Sequence, residues 1–161
     1  ARGARWGRRL PNGHGLGLAF GYSFVTYAAT VVEVEVDSKG HVKVVAVDMA
    51  LDCGPQVNPE RIRAQMEGAC VMGLSLALSS EITFEAGRVQ QSNFHDYEVL
   101  RLPQSPRTIR THLVGGDPKL PPGGVGEPPM PPVAPALLNA IFAATGKRIR
   151  SLPLRDQLVK T

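Results

Sequence analysis

The chain is poor in the residues that build metal centres. It has two cysteines, Cys53 and Cys70, which allow one disulfide at most, and four histidines standing singly at His14, His41, His95 and His112. Without a Cys-x-x-Cys motif or a Cys/His cluster, neither a zinc site nor a protein-ligated iron–sulfur cluster fits, and no protein ligand to a metal is expected. The plain reading is two small buried thiols and four exposed or structural imidazoles. Long apolar runs are also missing. Glu, Asp, Arg or Gly interrupts every stretch before the roughly 18–20 residues that a membrane helix needs. Aromatic residues make up only 6% of the chain, with Trp6 the single tryptophan. The stacked aromatics of a single-strand nucleic-acid binder are therefore lacking, and nucleic-acid binding is not expected. Serine-nucleophile motifs are absent as well.

What is present describes an ordinary globular domain. The 161 residues are 43% hydrophobic and 20% charged, enough for one core without disulfide staples. The net charge of +4 resides entirely in Arg2, Arg5, Arg8 and Arg9. Residues 1–16 read as a basic boundary segment that packs against, or trails from, further sequence; a phosphate-seeking arm is the alternative. Residues 17–161 read as one domain. The start at Ala1, with neither Met nor a basic-then-apolar leader, reads as an excised or processed piece.

Patterning along the chain predicts an α+β fold with a mixed, largely antiparallel sheet and two main helices. Gly13, Gly15, Gly17 and Gly21 precede a Val/Thr/Tyr-rich stretch, Phe24 to Val36, that reads as a strand. A dinucleotide-binding turn needs the opposite order. The glycines are therefore a flexible lead-in or close-packing positions, with a phosphate cradle as the minor reading. Glu33 and Glu35 alternate with valines and are assigned to a solvent face. Asp37 to Gly40 is a turn, and His41 to Met49 a returning strand. Asn58, Pro59 and Glu60 form a helix start. Ile62, Met66, Ala69, Cys70, Gly73, Leu74, Ala77 and Leu78 repeat at helical spacing through about Ser80. Gly68 and Gly73 each weaken that helix by roughly 1 kcal/mol, which suggests that something large approaches its backbone; Gln65 lies at the edge of the buried face. A short hairpin around Ala86-Gly87, a polar loop from Ser92 to Tyr97, a strand from Thr108 to Val114 and a helix from Val133 to Thr145 capped by Gly146 complete the reading.

The unusual segment is Gly115 to Pro132, rich in glycine and proline yet flanked by folded-looking sequence. Gly123, Gly124 and Gly126 let the backbone pass close to another group. Pro128 keeps Glu127 out of the α region and Pro129 stiffens the turn. A lone carboxylate held this way is either a positioned general base or a solvated loop glutamate.

The motifs Ala50-Leu51-Asp52-Cys53-Gly54, Val57-Asn58-Pro59, Gln65-Met66-Glu67-Gly68-Ala69 and Gly123-Gly124-Val125-Gly126-Glu127-Pro128 resemble, in order and spacing, the C-terminal part of the molybdenum-binding large subunit of the xanthine dehydrogenase/aldehyde oxidase family. The stretches Gln90–Tyr97 and Asn139–Arg150 are similar to its isoquinoline 1-oxidoreductase beta-subunit type. The resemblance covers about Leu16 to Leu154. It implies a molybdenum ion carried by a molybdopterin cofactor, commonly the cytosine dinucleotide form, with no direct protein ligand. It implies Glu127 as the general base toward a water-derived hydroxyl, and an aldehyde or N-heterocycle as the substrate hydroxylated. Gln65, Gly68, Gly124 and Gly126 become cofactor-contact positions. The implied partners are the remainder of the large subunit and a small subunit carrying 2Fe–2S clusters, and the implied location leans to the periplasm. Pro129 and Met130 depart from the Gly-Thr that often follows Glu-Pro in this branch. Since the family's large subunit is several times longer, the piece is expected to be inactive alone. A non-catalytic structural or interaction module reusing the fold is the alternative.

Overall fold

Alternating Val, Thr and Tyr side chains, broken by a turn at Asp37–Gly40, build the centre of the sheet. In a computed structural model describing residues 2–159, these are strands β2 (Thr26–Val36) and β3 (Val42–Asp52), paired antiparallel with a bulge between Glu33 and Val34. The glycine series ahead of them is itself a strand, β1 (His14–Ser23), antiparallel to β2. It therefore forms no lead-in. Gly15 and Gly17 face the last helix, α2 (Val133–Thr145), so closely that a Cβ on either would collide with the Ala140 or Ala136 carbonyl oxygen. This is the close-packing role, and no phosphate cradle is formed.

Helix α1 (Pro59–Leu78) follows β3 and returns the chain, by way of the short hairpin β4 (Phe84–Glu85) and β5 (Arg88–Val89), to β6 (Thr108–Leu113). Strand β6 pairs parallel to β3, giving a four-stranded sheet in the order β1-β2-β3-β6. The result is the α+β architecture expected, with one parallel pair in an otherwise antiparallel sheet. Asn58 caps α1 by accepting the Arg61 N–H at 3.0 Å. Gly146 ends α2 in the left-handed conformation, its N–H donating to the Phe142 carbonyl.

Both helices pack on one face of the sheet. Val32, Val34, Val47, Met49 and Leu51 meet Met66, Cys70 and Leu74 of α1 and Val133, Leu137 and Ile141 of α2, all buried. Fully burying side chains of this size contributes about 1.5–3 kcal/mol each, so this interface dominates stability. Gly73 is where the helices meet: a Cβ there would lie 2.7 Å from that of Val133. The large neighbour expected at that glycine is thus α2. Cys53 and Cys70 are free and buried, and burial pushes the Cys70 thiol up to about 12.

The opposite face of the sheet carries an ionic patch around Glu33 and Asp48, partly covered by the N-terminal segment, beside exposed apolar residues such as Phe20 and Tyr27. Ala4 is buried and Arg8 pairs with Glu33 at 2.5 Å. His14 also approaches Glu33, at 3.3 Å. The assignment of Glu33 to a solvent face is therefore wrong: alternation placed it correctly on the non-core face, but the basic segment folds back over it. Glu35 is exposed as expected. Strand β1 starts at His14, ahead of the boundary expected after residue 16.

Candidate active site

The loop from Pro121 to Pro128 has no regular structure, yet three bonds hold it against the sheet. The Gly123 N–H donates to the Cys53 carbonyl at 2.8 Å, just past the end of β3. The Gly124 N–H donates to the Phe24 carbonyl at 2.8 Å, and the Thr26 hydroxyl donates to the Gly124 carbonyl at 2.7 Å. Phe24 and Thr26 belong to the β1–β2 hairpin turn. The glycines are required by this approach, because a Cβ on Gly123 would collide with the Thr26 hydroxyl and one on Gly124 would lie 2.9 Å from the Phe24 Cβ.

The turn is unusual in its own right. Its central residues, Phe24 and Val25, have φ of 49° and 61°. A two-residue hairpin turn with both central φ positive normally carries Asn-Gly or Asp-Gly, and a β-branched residue there is a clear outlier. Strain of this kind persists only where the surroundings impose it. Here the Ser23–Thr26 pair closes the turn tightly, and the Phe24 carbonyl accepts the Gly124 N–H.

Beyond the clamp, the loop runs to α1. A Cβ on Gly126 would meet the Gln65 amide nitrogen at 3.5 Å, so the Gln-x-Glu-Gly and Gly-Val-Gly-Glu-Pro motifs come together in space. Gln65 is exposed, on a helix fixed to the sheet by Arg63, whose guanidinium donates to the Thr111 carbonyl at 2.7 Å. Glu127 is exposed, and among the described residues no hydrogen bond or ion pair engages its carboxylate. Its carbonyl accepts the Met130 N–H at 3.0 Å, while Pro128 and Pro129 are buried. The carboxylate thus stands on a backbone fixed on both sides. Among the described residues, the N–H groups of Val125, Gly126 and Glu127 also make no hydrogen bond.

Four of the five site residues read from the sequence, Gln65, Gly124, Gly126 and Glu127, lie on or beside this loop. Gly68 stands apart. It has open space around it and lines a groove of about 770 Å³ with Ala64, Met72, Val99, Leu102 and Ile109. The hairpin turn and Thr26 were not among the expected site residues. Their only local signal is a Phe-Val pair between two strands, where turn-forming residues would be expected. Among the described residues no group of three His, Cys, Asp or Glu side chains could hold a metal ion.

Comparison with known proteins places the chain in a family. Residues 6–106 match the model of a molybdopterin cofactor-binding domain. The chain is 38% identical over 160 residues to the beta subunit of isoquinoline 1-oxidoreductase from Brevundimonas diminuta, covering 96% of this chain and 20% of that protein. It is 36% identical over 135 residues to a nicotinate dehydrogenase subunit from Pseudomonas putida, covering 83% and 11%. Among solved structures, aldehyde oxidoreductase from Desulfovibrio gigas superposes with a TM-score of 0.71 at 28% identity over 82% of this chain and 15% of that one. Quinoline 2-oxidoreductase from Pseudomonas putida 86 shares the fold, with a TM-score of 0.73 at 22% identity over 82% and 18%. The chain therefore spans a fifth or less of the relatives it matches. On this sequence and fold likeness, the chain belongs to the molybdopterin cofactor-binding domain family of the xanthine dehydrogenase/aldehyde oxidase oxidoreductases.

Proposed function

We propose that this chain forms the base-bearing part of a molybdenum hydroxylase large subunit, with Glu127 as general base. The supporting observation is the clamped loop, which carries an unpaired carboxylate on the residue after Gly126, itself beside Gln65. The residues present fit a molybdopterin. The unpaired N–H groups of Val125, Gly126 and Glu127 and the amide of Gln65 beside Gly126 offer hydrogen-bonding groups for the heteroatoms of a pterin dinucleotide. When bound, as the cytosine dinucleotide form, the cofactor supplies the two-electron acceptor and the oxygen-transfer centre. Gln65 and Gly126 hold its edge, and Gly68, one turn along α1, leaves the backbone open to its approach.

Glu127 takes the proton from the water-derived hydroxyl that becomes the new C–O bond. Its fixed backbone would leave the carboxylate little entropy to lose at the reacting step. The substrate class is an electron-poor carbon of an aldehyde or N-heterocycle, in keeping with the names of the relatives. A small partner subunit carrying 2Fe–2S clusters would take up the electrons. The remainder of the large subunit covers the apolar surface that this chain presents, including Phe20 and Phe24, 76% and 65% exposed; exposed patches of this kind mark interaction surfaces.

The test is Glu127→Gln in the molybdenum-loaded subunit carrying this sequence. Turnover should fall by about 10²–10⁴-fold, the usual range for a lost general base, with molybdenum content unchanged. Normal turnover would remove Glu127 from the chemistry. In the same assays the 161-residue chain by itself should show no turnover and substoichiometric molybdenum. Stoichiometric metal there would contradict the need for the remaining polypeptide.

A further inference from the structure

We infer that Thr26 is a positioning residue for Glu127, acting through the Gly124 carbonyl. This rests on the reading of Glu127 as the base. Thr26 is fully buried at the start of β2, and its hydroxyl donates to the Gly124 carbonyl at 2.7 Å. Among the described residues it is the only side chain that hydrogen-bonds the 121–127 loop; the other two ties are backbone to backbone. A Cβ on Gly123 would collide with its hydroxyl, so the loop lies directly on this residue.

The hairpin turn serves the same end. Phe24 and Val25 are held at positive φ, which directs the Phe24 carbonyl toward the Gly124 N–H. Gly124 is thereby gripped at both its N–H and its carbonyl, a short stretch of backbone before Glu127. Two hydrogen bonds at one residue restrict its translation and its rotation together. Loss of the Thr26 bond frees the Gly124 carbonyl side of the loop, which is then held only through the N–H groups of Gly123 and Gly124. Displacement of a reacting group by about 1 Å can lower rate by about 10²-fold, so a small tilt of this backbone is enough to matter for Glu127.

The experiment compares Thr26→Val, which keeps the shape and removes the donor, with Thr26→Ser, which keeps the donor. Both are made in the molybdenum-loaded subunit, alone and with Glu127→Gln. Thr26→Val should lower kcat by about 10- to 100-fold, as expected of a misplaced base, with KM and molybdenum content within about twofold of the parent on the same argument. Thr26→Ser should stay within about threefold of the parent, since it keeps the bond to Gly124. In the Glu127→Gln background Thr26→Val should have no further effect, because the group it positions is gone.

As a second readout, amide exchange at Gly124 in the loaded subunit should accelerate about tenfold or more in Thr26→Val and not in Thr26→Ser, because local opening sets exchange. Unaltered exchange, an equal loss in Thr26→Ser, or an undiminished effect in the Glu127→Gln background would each overturn the assignment. If Thr26→Val yields no loaded subunit, the serine variant still decides: a loss of about tenfold or more there contradicts the role, and parental turnover supports it. Normal turnover in Glu127→Gln alone would instead defeat the underlying base reading, whatever exchange at Gly124 shows.

Discussion

At the scale of single residues, the two mid-helix glycines of α1 have the same intrinsic effect on the helix but different reasons to be there. Gly73 is excluded from change by Val133, packed against it from α2. Gly68 is different: a Cβ placed there would have no neighbour within 4 Å, and its side of the helix is open. On propensity alone, Gly68→Ala should stabilise the chain by about 1 kcal/mol, read as a higher urea midpoint. If the pterin lies against this backbone in the loaded subunit, the same substitution should reduce molybdenum content. A stabilised variant with full molybdenum would remove Gly68 from the cofactor site. The motifs of Gln65 and Glu127 are specific enough to single out both residues in the sequence, and the fold brings Gln65 beside Gly126, the residue before Glu127. Thr26 was not legible, since a threonine among strand residues looks like any other β-branched side chain and its partner lies 98 residues away.

Among the elements, the helices were the most legible. Asn58, Pro59 and Gly146 mark their ends with chemistry that has few other uses, and α2 begins and ends at the expected residues. Strand β1 was the least legible, because Gly15, Gly17 and Gly21 all fall within it and strand propensity counts against glycine. Two of them, Gly15 and Gly17, answer to a neighbouring helix, a constraint that no local pattern displays. The β1–α2 seam makes a sharp contrast available. Gly17→Ala drives a methyl group into the α2 backbone, whereas Gly21, in the same strand, has nothing within 4 Å. Gly17→Ala should destabilise by about 1–3 kcal/mol, the range for overpacking. Gly21→Ala should change the urea midpoint little, and equal effects of the two would contradict the seam.

Over the whole molecule, the face of the sheet away from the helices carries its own ionic layer. Asp48 is buried at the centre, bonded by Arg110 at 2.8 and 2.5 Å and by His112 at 3.0 Å. Burial pushes its carboxyl up, but the hydrogen bonds from Arg110 and His112 outweigh this and hold it below the usual carboxylate range. A depressed folded-state pKa means stability that is complete above about pH 4, the unfolded value. That stability is lost as the pH falls through the folded value. From about pH 5 downward the unfolding free energy of the parent should therefore fall more steeply than that of Asp48→Asn. Parallel profiles would assign the acid sensitivity to other carboxylates. Coverage of this layer by the N-terminal segment was not readable in advance, because a cluster of arginines describes a charge and not its destination.

The bond between Thr26 and Gly124 also bears on how the molecule is made. Joining positions so far apart along the chain carries a loop-closure entropy that must be met before the contact gives anything back. Contacts of such long sequence separation go with slow folding. Pairing of β1 with β2 needs only a tight turn between them, so that hairpin can assemble early with its turn still empty-handed. The loop follows β6 in the chain, and β6 pairs with β3 across the intervening helix. A nascent polypeptide halted between Leu113 and Gly123 would possess all four strands of the main sheet and helix α1, yet neither the loop that Thr26 grips nor the carboxylate of Glu127.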